Sequence, residues 1–180
     1  VLVDHSEFAL YKIANELKQE NPGLRMTAVL GSIKHPELMR ETLMKHQIEV
    51  VFHAAAYKHV NLVETNVFEG VRNNVIGTRV LAEEARLARV DRFILVSTDK
   101  AVRPSSMMGC TKRMAELVIQ DLAKRSENTK FSMVRFGNVL GSSGSVIPLF
   151  QKQIRDLGPV TVTHPEVTRY FMTIDEAVRL

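Results

Sequence analysis

Apolar residues along the chain fall alternately into short runs and into faces with helical spacing. Val1-Leu2-Val3 is a short apolar run that ends in Asp4 and reads as a strand. After His5-Ser6-Glu7, the residues Phe8, Leu10, Tyr11, Ile13, Ala14 and Leu17 share one broad helical face. Asn21-Pro22-Gly23 breaks that face. Met26 to Leu30 reads as a strand, Glu37 to His46 as a helix and Ile48 to His53 as the next strand. Val67 to Leu87 predicts one long amphipathic helix. Phe93 to Ser97 predicts a strand and Cys110 to Ala123 a helix. Phe131 to Arg135 and Val146 to Ile154 repeat the alternation, and a last helical pattern starts near Thr173.

Several of these strands are apolar on both faces, as expected for a parallel sheet covered by helices on both sides. The expected class is α/β, a doubly wound parallel Rossmann-type sheet followed by the start of a substrate-binding portion. Residues 1–136 would form the dinucleotide-binding part and 137–180 the beginning of the second, interleaved with the first. A sheet of this kind opens with a strand and a Gly-rich turn whose amides meet a pyrophosphate. No Gly-x-Gly-x-x-Gly exists here, and the first strand instead ends in Asp4. The expectation is therefore a sheet without its first βα unit.

Composition narrows the class further. The chain has 180 residues, 45% hydrophobic and 24% charged, which excludes a disordered tail or a low-complexity polymer. One cysteine, Cys110, excludes an internal disulfide and a Cys-rich zinc site. Scattered histidines without a metal-binding spacing predict no metal. Net charge is +4, the basic residues are dispersed and there is no Trp, so no nucleic-acid partner is expected. No apolar run is long enough to span a bilayer. A reducing, cytoplasmic setting is the expectation.

Chemistry concentrates at a few places. Ser97-Thr98-Asp99-Lys100 ends a predicted strand, where open α/β sheets gather their reactive groups. Hydroxyls, carboxylate and amine side by side offer proton donors and acceptors, although Ser, Thr and Asp also cap helices. Met108 and Lys112 stand four apart and share a helix face. Read locally, Met108 is core packing and Lys112 belongs to a solvated face. Asp4 is either a ribose-binding carboxylate or a cap ahead of Ser6. Ala54, Ala55 and Ala56 are small enough for a loop passing close to a ligand, or for ordinary packing. Gly141-Ser142-Ser143-Gly144-Ser145 is an anion-binding turn or a flexible one.

Together these segments resemble the nucleotide-sugar 4,6-dehydratases of the extended short-chain dehydrogenase/reductase superfamily. The resemblance rests on Ser97-Thr98-Asp99-Lys100-Ala101-Val102-Arg103-Pro104 with Met108-Gly109-Cys110-Thr111-Lys112-Arg113. His53-Ala54-Ala55-Ala56-Tyr57-Lys58-His59-Val60, Asn73 to Thr78, Arg135 to Pro148 and Thr161 to Thr173 agree with it. The chain is most similar to the bacterial polysaccharide biosynthesis branch, where Met replaces the superfamily's Tyr. A thioether cannot transfer a proton, so this branch must move its C4 proton otherwise.

The resemblance implies a lyase acting on UDP-N-acetylglucosamine or a close relative. The sugar is oxidised at C4, water leaves across C5 and C6, and the hydride returns to C6. Thr98, Asp99, Lys100, Met108 and Lys112 are the implied catalytic positions: Lys100 as base at C5, Asp99 as acid at C6, and Thr98, or Asp99 through it, for the C4 proton. Lys112 would also hold the nicotinamide ribose. NAD, favoured over NADP by Asp4, would be bound by Asp4, Ser32, Ala54, Ala55, Ala56 and Asn74. Ser32 stands where the family usually has Asp. Lys58, Asn138, Ser143 and Arg169 are the implied contacts of the UDP-sugar. The branch also implies a homo-oligomer and a parent protein anchored to the cytoplasmic face of the inner membrane by a preceding region. A nucleotide-sugar epimerase or reductase, or a non-catalytic dinucleotide-binding regulator, are the alternatives. The first would want the missing Tyr, and the second would not need Asp99, Lys100 and Lys112 together.

Overall fold

The computed structural model describes every residue except 142–145 and 163. Two compact units divide the chain, Val1–Met133 and Val134–Leu180. In the first unit the order is β1 (Leu2–Asp4), α1 (Glu7–Glu20), β2 (Ala28–Leu30), α2 (Pro36–Lys45), β3 (Val50–His53), α3 (Val60–Thr65) and α4 (Val67–Val71). A π-helical segment, Arg72–Gly77, then leads into α5 (Thr78–Leu87), β4 (Arg92–Thr98), a 3₁₀ turn at Asp99–Ala101 and α6 (Met107–Arg125). β5 (Lys130–Phe136) begins in this unit, with the Lys130 N–H donating to the Asp91 carbonyl at 2.9 Å.

All registered strand pairs are parallel, so the expected α/β class holds. The ladder is not continuous, however. β1 pairs with β2, and β3, β4 and β5 form a separate set in that order. Between the two sets lies a cavity of about 470 Å³, lined on one side by Val1–Asp4 and on the other by Val50–Ala55. Among the described residues no strand bonds both sets, and Phe52 on β3 lines the cavity and is 75% exposed.

The core of this unit is built by α2, α5 and α6 over β4. Met39, Leu43, Leu81, Ala82, Ala85, Phe93, Leu95, Ala115, Ile119 and Leu122 form one buried cluster. Ala115, Ile119 and Leu122 on α6 recur at the spacing of a single helix face. Phe93 and Phe131 stack in a tilted pair with ring centres 5.4 Å apart.

The long helix expected over Val67–Leu87 is not uniform. A further helix, α3, precedes it, Asn66 interrupts it with φ −132°, and Arg72–Gly77 widens into a π-turn. Side-chain bonding accompanies the widening: Thr78 Oγ1 donates to the Asn74 carbonyl at 2.6 Å, and Asn74 reaches out of the helix to other elements. Such π-segments cluster at functional sites.

In the second unit β6 (Asn138–Val139) pairs with β7 (Phe171–Met172), and α7 (Val146–Arg155) and α8 (Ile174–Val178) complete it. Thr173 and Glu176 cap α8 reciprocally.

Candidate active site

β4 delivers the first reactive group of residues. Its last residue, Thr98, is followed by the 3₁₀ turn that carries Asp99 and Lys100. Thr98 Oγ1 donates to Asp99 Oδ1 at 2.9 Å, and Lys100 Nζ donates to the same oxygen at 3.0 Å. All three side chains are partly open to solvent. Partial burial raises the Asp99 carboxyl, but the bonds from Lys100 and Thr98 outweigh it and hold the group below its usual value. Asp99 and Lys100 form an ion pair at 3.0 Å.

α6 delivers the second group, and it starts three residues before its expected boundary. Ser106 Oγ accepts from the Gly109 N–H at 3.1 Å, and Glu64 from α3 accepts from the Met107 N–H at 2.7 Å. Gly109 is a close-approach glycine: a Cβ there would collide with the Lys100 carbonyl oxygen. The missing side chain is what lets α6 lie against the turn that carries Lys100.

Met108 is 4% exposed, as core packing requires. Lys112 is 7% exposed, which corrects the local reading of a solvated face. Its Nζ donates to the Val96 carbonyl on β4 at 2.7 Å. Burial pushes the ammonium down to about 8, while Glu116 acts in the opposite direction. Cys110 is half-buried and free.

Five of the seven expected cofactor residues border one hollow, and Asn74 and Lys112 lie outside its lining. Asp4, Ser32, Ala54, Ala55 and Ala56 line a cavity of about 150 Å³ together with His5, Gly31, Tyr57 and Asn73. Asp4 Oδ1 accepts from the Ser6 N–H at 2.7 Å, so its role as a local cap is real. Its Oδ2 takes no bond among the described residues and remains an acceptor. Small side chains and a strand-end carboxylate fit the ribose and adenine end of a dinucleotide.

Asn74 departs from the expectation of direct contact. It is 1% exposed, its Oδ1 accepts from the Tyr57 N–H at 2.7 Å, and its Nδ2 donates to the Tyr57 carbonyl and to Thr111 Oγ1, each at 3.0 Å. The amide is used up in holding the loop after β3 against α6. Asn74 is not among the residues that line the hollow.

Of the expected sugar-nucleotide contacts, Lys58 is exposed on the loop after β3 in the first unit. Asn138 and Arg169 belong to the second unit. Asn138 sits on β6, with its N–H donating to the Tyr170 carbonyl at 2.8 Å, and Arg169 is exposed just before β7. Ser143 lies outside the described residues. Among those residues no cluster of His, Cys, Asp or Glu could hold a metal, and no helix is long and apolar enough to cross a membrane.

Sequence reading overlooked a buried polar layer beneath these groups. Ser97 Oγ donates to Glu116 Oε1 at 2.7 Å, and Arg113 donates to Glu116 Oε2 at 2.9 Å. His53 is 2% exposed, with Nε2 2.7 Å from Thr78 Oγ1. Since Thr78 spends its proton on the Asn74 carbonyl, His53 donates from Nε2, and its buried Nδ1 takes no partner among the described residues. Burial first, and the charge of Lys112 second, push the imidazole down to about 3. Charged residues at helical positions look solvated in a one-dimensional pattern, so spacing gave no warning of this layer.

A parallel α/β unit with its polar groups at a strand's carboxyl end and a buried Lys on the next helix defines the short-chain dehydrogenase class of Rossmann-type proteins. Residues 1–180 match the family model described as polysaccharide biosynthesis protein, and the chain belongs to that family. It is 50% identical to the capsular polysaccharide biosynthesis protein CapD of Staphylococcus aureus over 181 residues, covering all of this chain and 30% of CapD. It is 35% identical to the UDP-glucose 4-epimerase of Rickettsia canadensis, covering all of this chain and 54% of that enzyme. Among solved structures, Pen from Bacillus thuringiensis superposes with a TM-score of 0.89 at 36% identity, covering 99% of this chain and 56% of Pen. The dTDP-glucose 4,6-dehydratase DesIV from Streptomyces venezuelae, solved with NAD bound, shares the fold with a TM-score of 0.82 at 23% identity, over 92% of this chain and 56% of DesIV. The chain thus spans about a third of the length of its capsular relative.

Proposed function

We propose that this chain is the catalytic part of a UDP-N-acetylglucosamine 4,6-dehydratase that makes a 4-keto-6-deoxy sugar nucleotide for surface polysaccharide. The observation that carries the reading is the Thr98–Asp99–Lys100 trio, joined through one carboxylate oxygen at the end of β4. A simple oxidoreductase or epimerase has no need of that acid–base pair, whereas eliminating water across C5 and C6 requires both a base and an acid.

NAD is the cofactor of this reading, and it supplies the acceptor and later the donor of the sugar's hydride. Asp4 would accept from ribose hydroxyls and disfavour a 2′-phosphate, Ser32 and Ala54–Ala56 would line the adenosine hollow, and Lys112 would meet the nicotinamide ribose. Met108 cannot take a proton, so Thr98 relays the C4 hydroxyl proton to Asp99. Asp99, thereby protonated, gives that proton to the departing C6 hydroxyl, which leaves as water. Lys100 gives its ammonium proton to solvent once Asp99 is neutral, and the resulting amine removes the C5 proton. Protonating Asp99 also weakens its hold on Lys100, so one event prepares both members of the pair. Lys58, Asn138, Ser143 and Arg169 are assigned to the substrate diphosphate and uridine, guanidinium and ammonium groups suiting phosphate oxygens.

The test is mass spectrometry of UDP-N-acetylglucosamine incubated with the complete parent polypeptide and NAD in deuterated water. Loss of one water with deuterium at C5 is expected. Deuterium at C5 with no loss of water would point to an epimerase half-reaction, in line with the Rickettsia relative. No change with NAD bound would overturn the choice of sugar nucleotide.

A further inference from the structure

Glu116 is the most buried carboxylate of the first unit, at 0% exposure, and the chemistry proposed above does not use it. It stands one helical turn beyond Lys112 on α6. A carboxylate in that position is costly unless it is paired and hydrogen-bonded, and its known partners are informative. Ser97, which donates to it at 2.7 Å, is the residue immediately before Thr98 on β4. Arg113, which donates to its other oxygen, is the residue after Lys112 on α6. Lys112 itself bonds to the Val96 carbonyl, the residue before Ser97. The end of β4 and α6 are thus tied by two side-chain bonds, Ser97 to Glu116 and Lys112 to the Val96 carbonyl, and Arg113 braces Glu116 from within α6.

We propose that Glu116 is the positioning residue of this site, locking the strand end that leads into Thr98, Asp99 and Lys100 to the helix that carries Lys112 and setting a carboxylate one helical turn from the buried Lys112. Its role in catalysis rests on the dehydratase reading; its hold on Lys112 does not. The direction of the Lys112 titration agrees, since burial lowers it and Glu116 opposes that fall. His53, on β3, is the other titratable group that senses Lys112, and its own low value leaves it neutral at working pH. Arg113, paired with Glu116, is the cation that opposes it, and Glu116 is the acid that faces Lys112 from the same helix.

The experiment follows the Lys112 side-chain ¹³Cε shift against pH in the full chain without cofactor or sugar, and the pH profile of turnover beside it. Glu116→Gln keeps an oxygen for Ser97 and removes the charge. Its Lys112 midpoint should fall below the parent value by roughly one unit, about a tenfold change in the ammonium–amine ratio. An unmoved midpoint in a folded variant overturns the electrostatic half. If that variant does not fold, Arg113→Gln leaves the Glu116 carboxylate without its cation, so the Lys112 midpoint should rise, and an unmoved midpoint overturns the same half. Ser97→Ala retains the charge and cuts the tie to β4. It should leave the midpoint in place and lower kcat about tenfold with little change in KM. Full turnover in Ser97→Ala overturns the positioning half. A midpoint that shifts in a protein that does not dehydrate UDP-N-acetylglucosamine would uphold the hold on Lys112 and reject only the reaction.

Discussion

Lys100 and Lys112 lie twelve positions apart, and each is associated with an acid, yet the protein treats them oppositely. Lys100 sits on a short 3₁₀ turn, partly open to solvent, and donates straight to Asp99 at 3.0 Å. Lys112 is buried on a long helix and donates to a backbone carbonyl at 2.7 Å, with its acid one turn away. The exposed pair can exchange protons with a ligand and with water. The buried one can do neither quickly, and its ammonium is a fixed charge and donor. Identical side chains acquire different work from their surroundings.

The largest effect should come from breaking the exposed pair. Asp99→Asn keeps the shape and removes the proton carrier, so turnover should fall by roughly 10² to 10⁴-fold. Nucleotide binding, measured by calorimetry on the same variant, should be unchanged within about twofold, because Asp99 is not part of the adenosine hollow. Weakened NAD binding of similar size would move Asp99 into the cofactor site and remove the contrast with Lys112.

The next effect belongs to the buried side and is read by pH. His53 has an ordinary value of 6.5 and a folded value of about 3, so the folded state refuses a proton that the unfolded chain accepts. Its full contribution to stability is present above 6.5 and is lost progressively as pH falls toward 3. The total is at most on the order of 5 kcal/mol. Thermal unfolding followed from pH 7 to 4 should show a falling Tm, and His53→Asn should flatten that slope while lowering Tm at pH 7. A parent Tm that is level across this range would place the imidazole in contact with water.

Much of this was legible in the alternation of runs and helical faces. β4 and the helix after it stand out because Phe93-Ile94-Leu95-Val96 is apolar without interruption and the hydrophobic stripe of α6 is regular. The polar end of β4 was visible for the same reason: polarity begins abruptly at Ser97. What stayed hidden has physical causes. The π-turn at Arg72–Gly77 preserves an amphipathic pattern, so periodicity passes through it unaltered. β6 and β7 are two residues each, too short to show a period of two. Glu116 gave no signal and Lys112 read locally as a solvated charge, because their partners, Ser97 and Arg113 for the one and the Val96 carbonyl for the other, are groups whose pairing a linear pattern does not show. The family resemblance, carried by motifs rather than periodicity, was upheld over the whole chain.

A smaller effect should come from the contact between the two regions. Gly109→Ala would push a methyl group into the Lys100 carbonyl. Since the obstacle is backbone, relief requires moving the 3₁₀ turn or the start of α6, at a cost of about 1–3 kcal/mol. Tm should fall accordingly, and kcat should fall with it, because the displaced turn carries Asp99 and Lys100. A stable variant with full activity would mean that the turn and α6 are not in register-sensitive contact, and the coupling between exposed and buried lysines would lose its mechanical basis.

The smallest effect is expected at Met108, where the short-chain dehydrogenase pattern has its Tyr. At 4% exposure its thioether is enclosed by core, and it has no proton to give. Met108→Leu conserves volume and hydrophobicity, so stability should change by less than about 1.5 kcal/mol, and kcat by no more than about threefold. Denaturant unfolding and steady-state rates at saturating substrate measure the two quantities separately. This variant is the sharpest control on the division of labour. If the reactive protons all travel through Thr98, Asp99 and Lys100, replacing sulfur by carbon next to Lys112 is a packing event and nothing more. A loss of kcat beyond tenfold with stability intact would instead bring the buried side of the site into the chemistry and cancel the contrast between the two lysines.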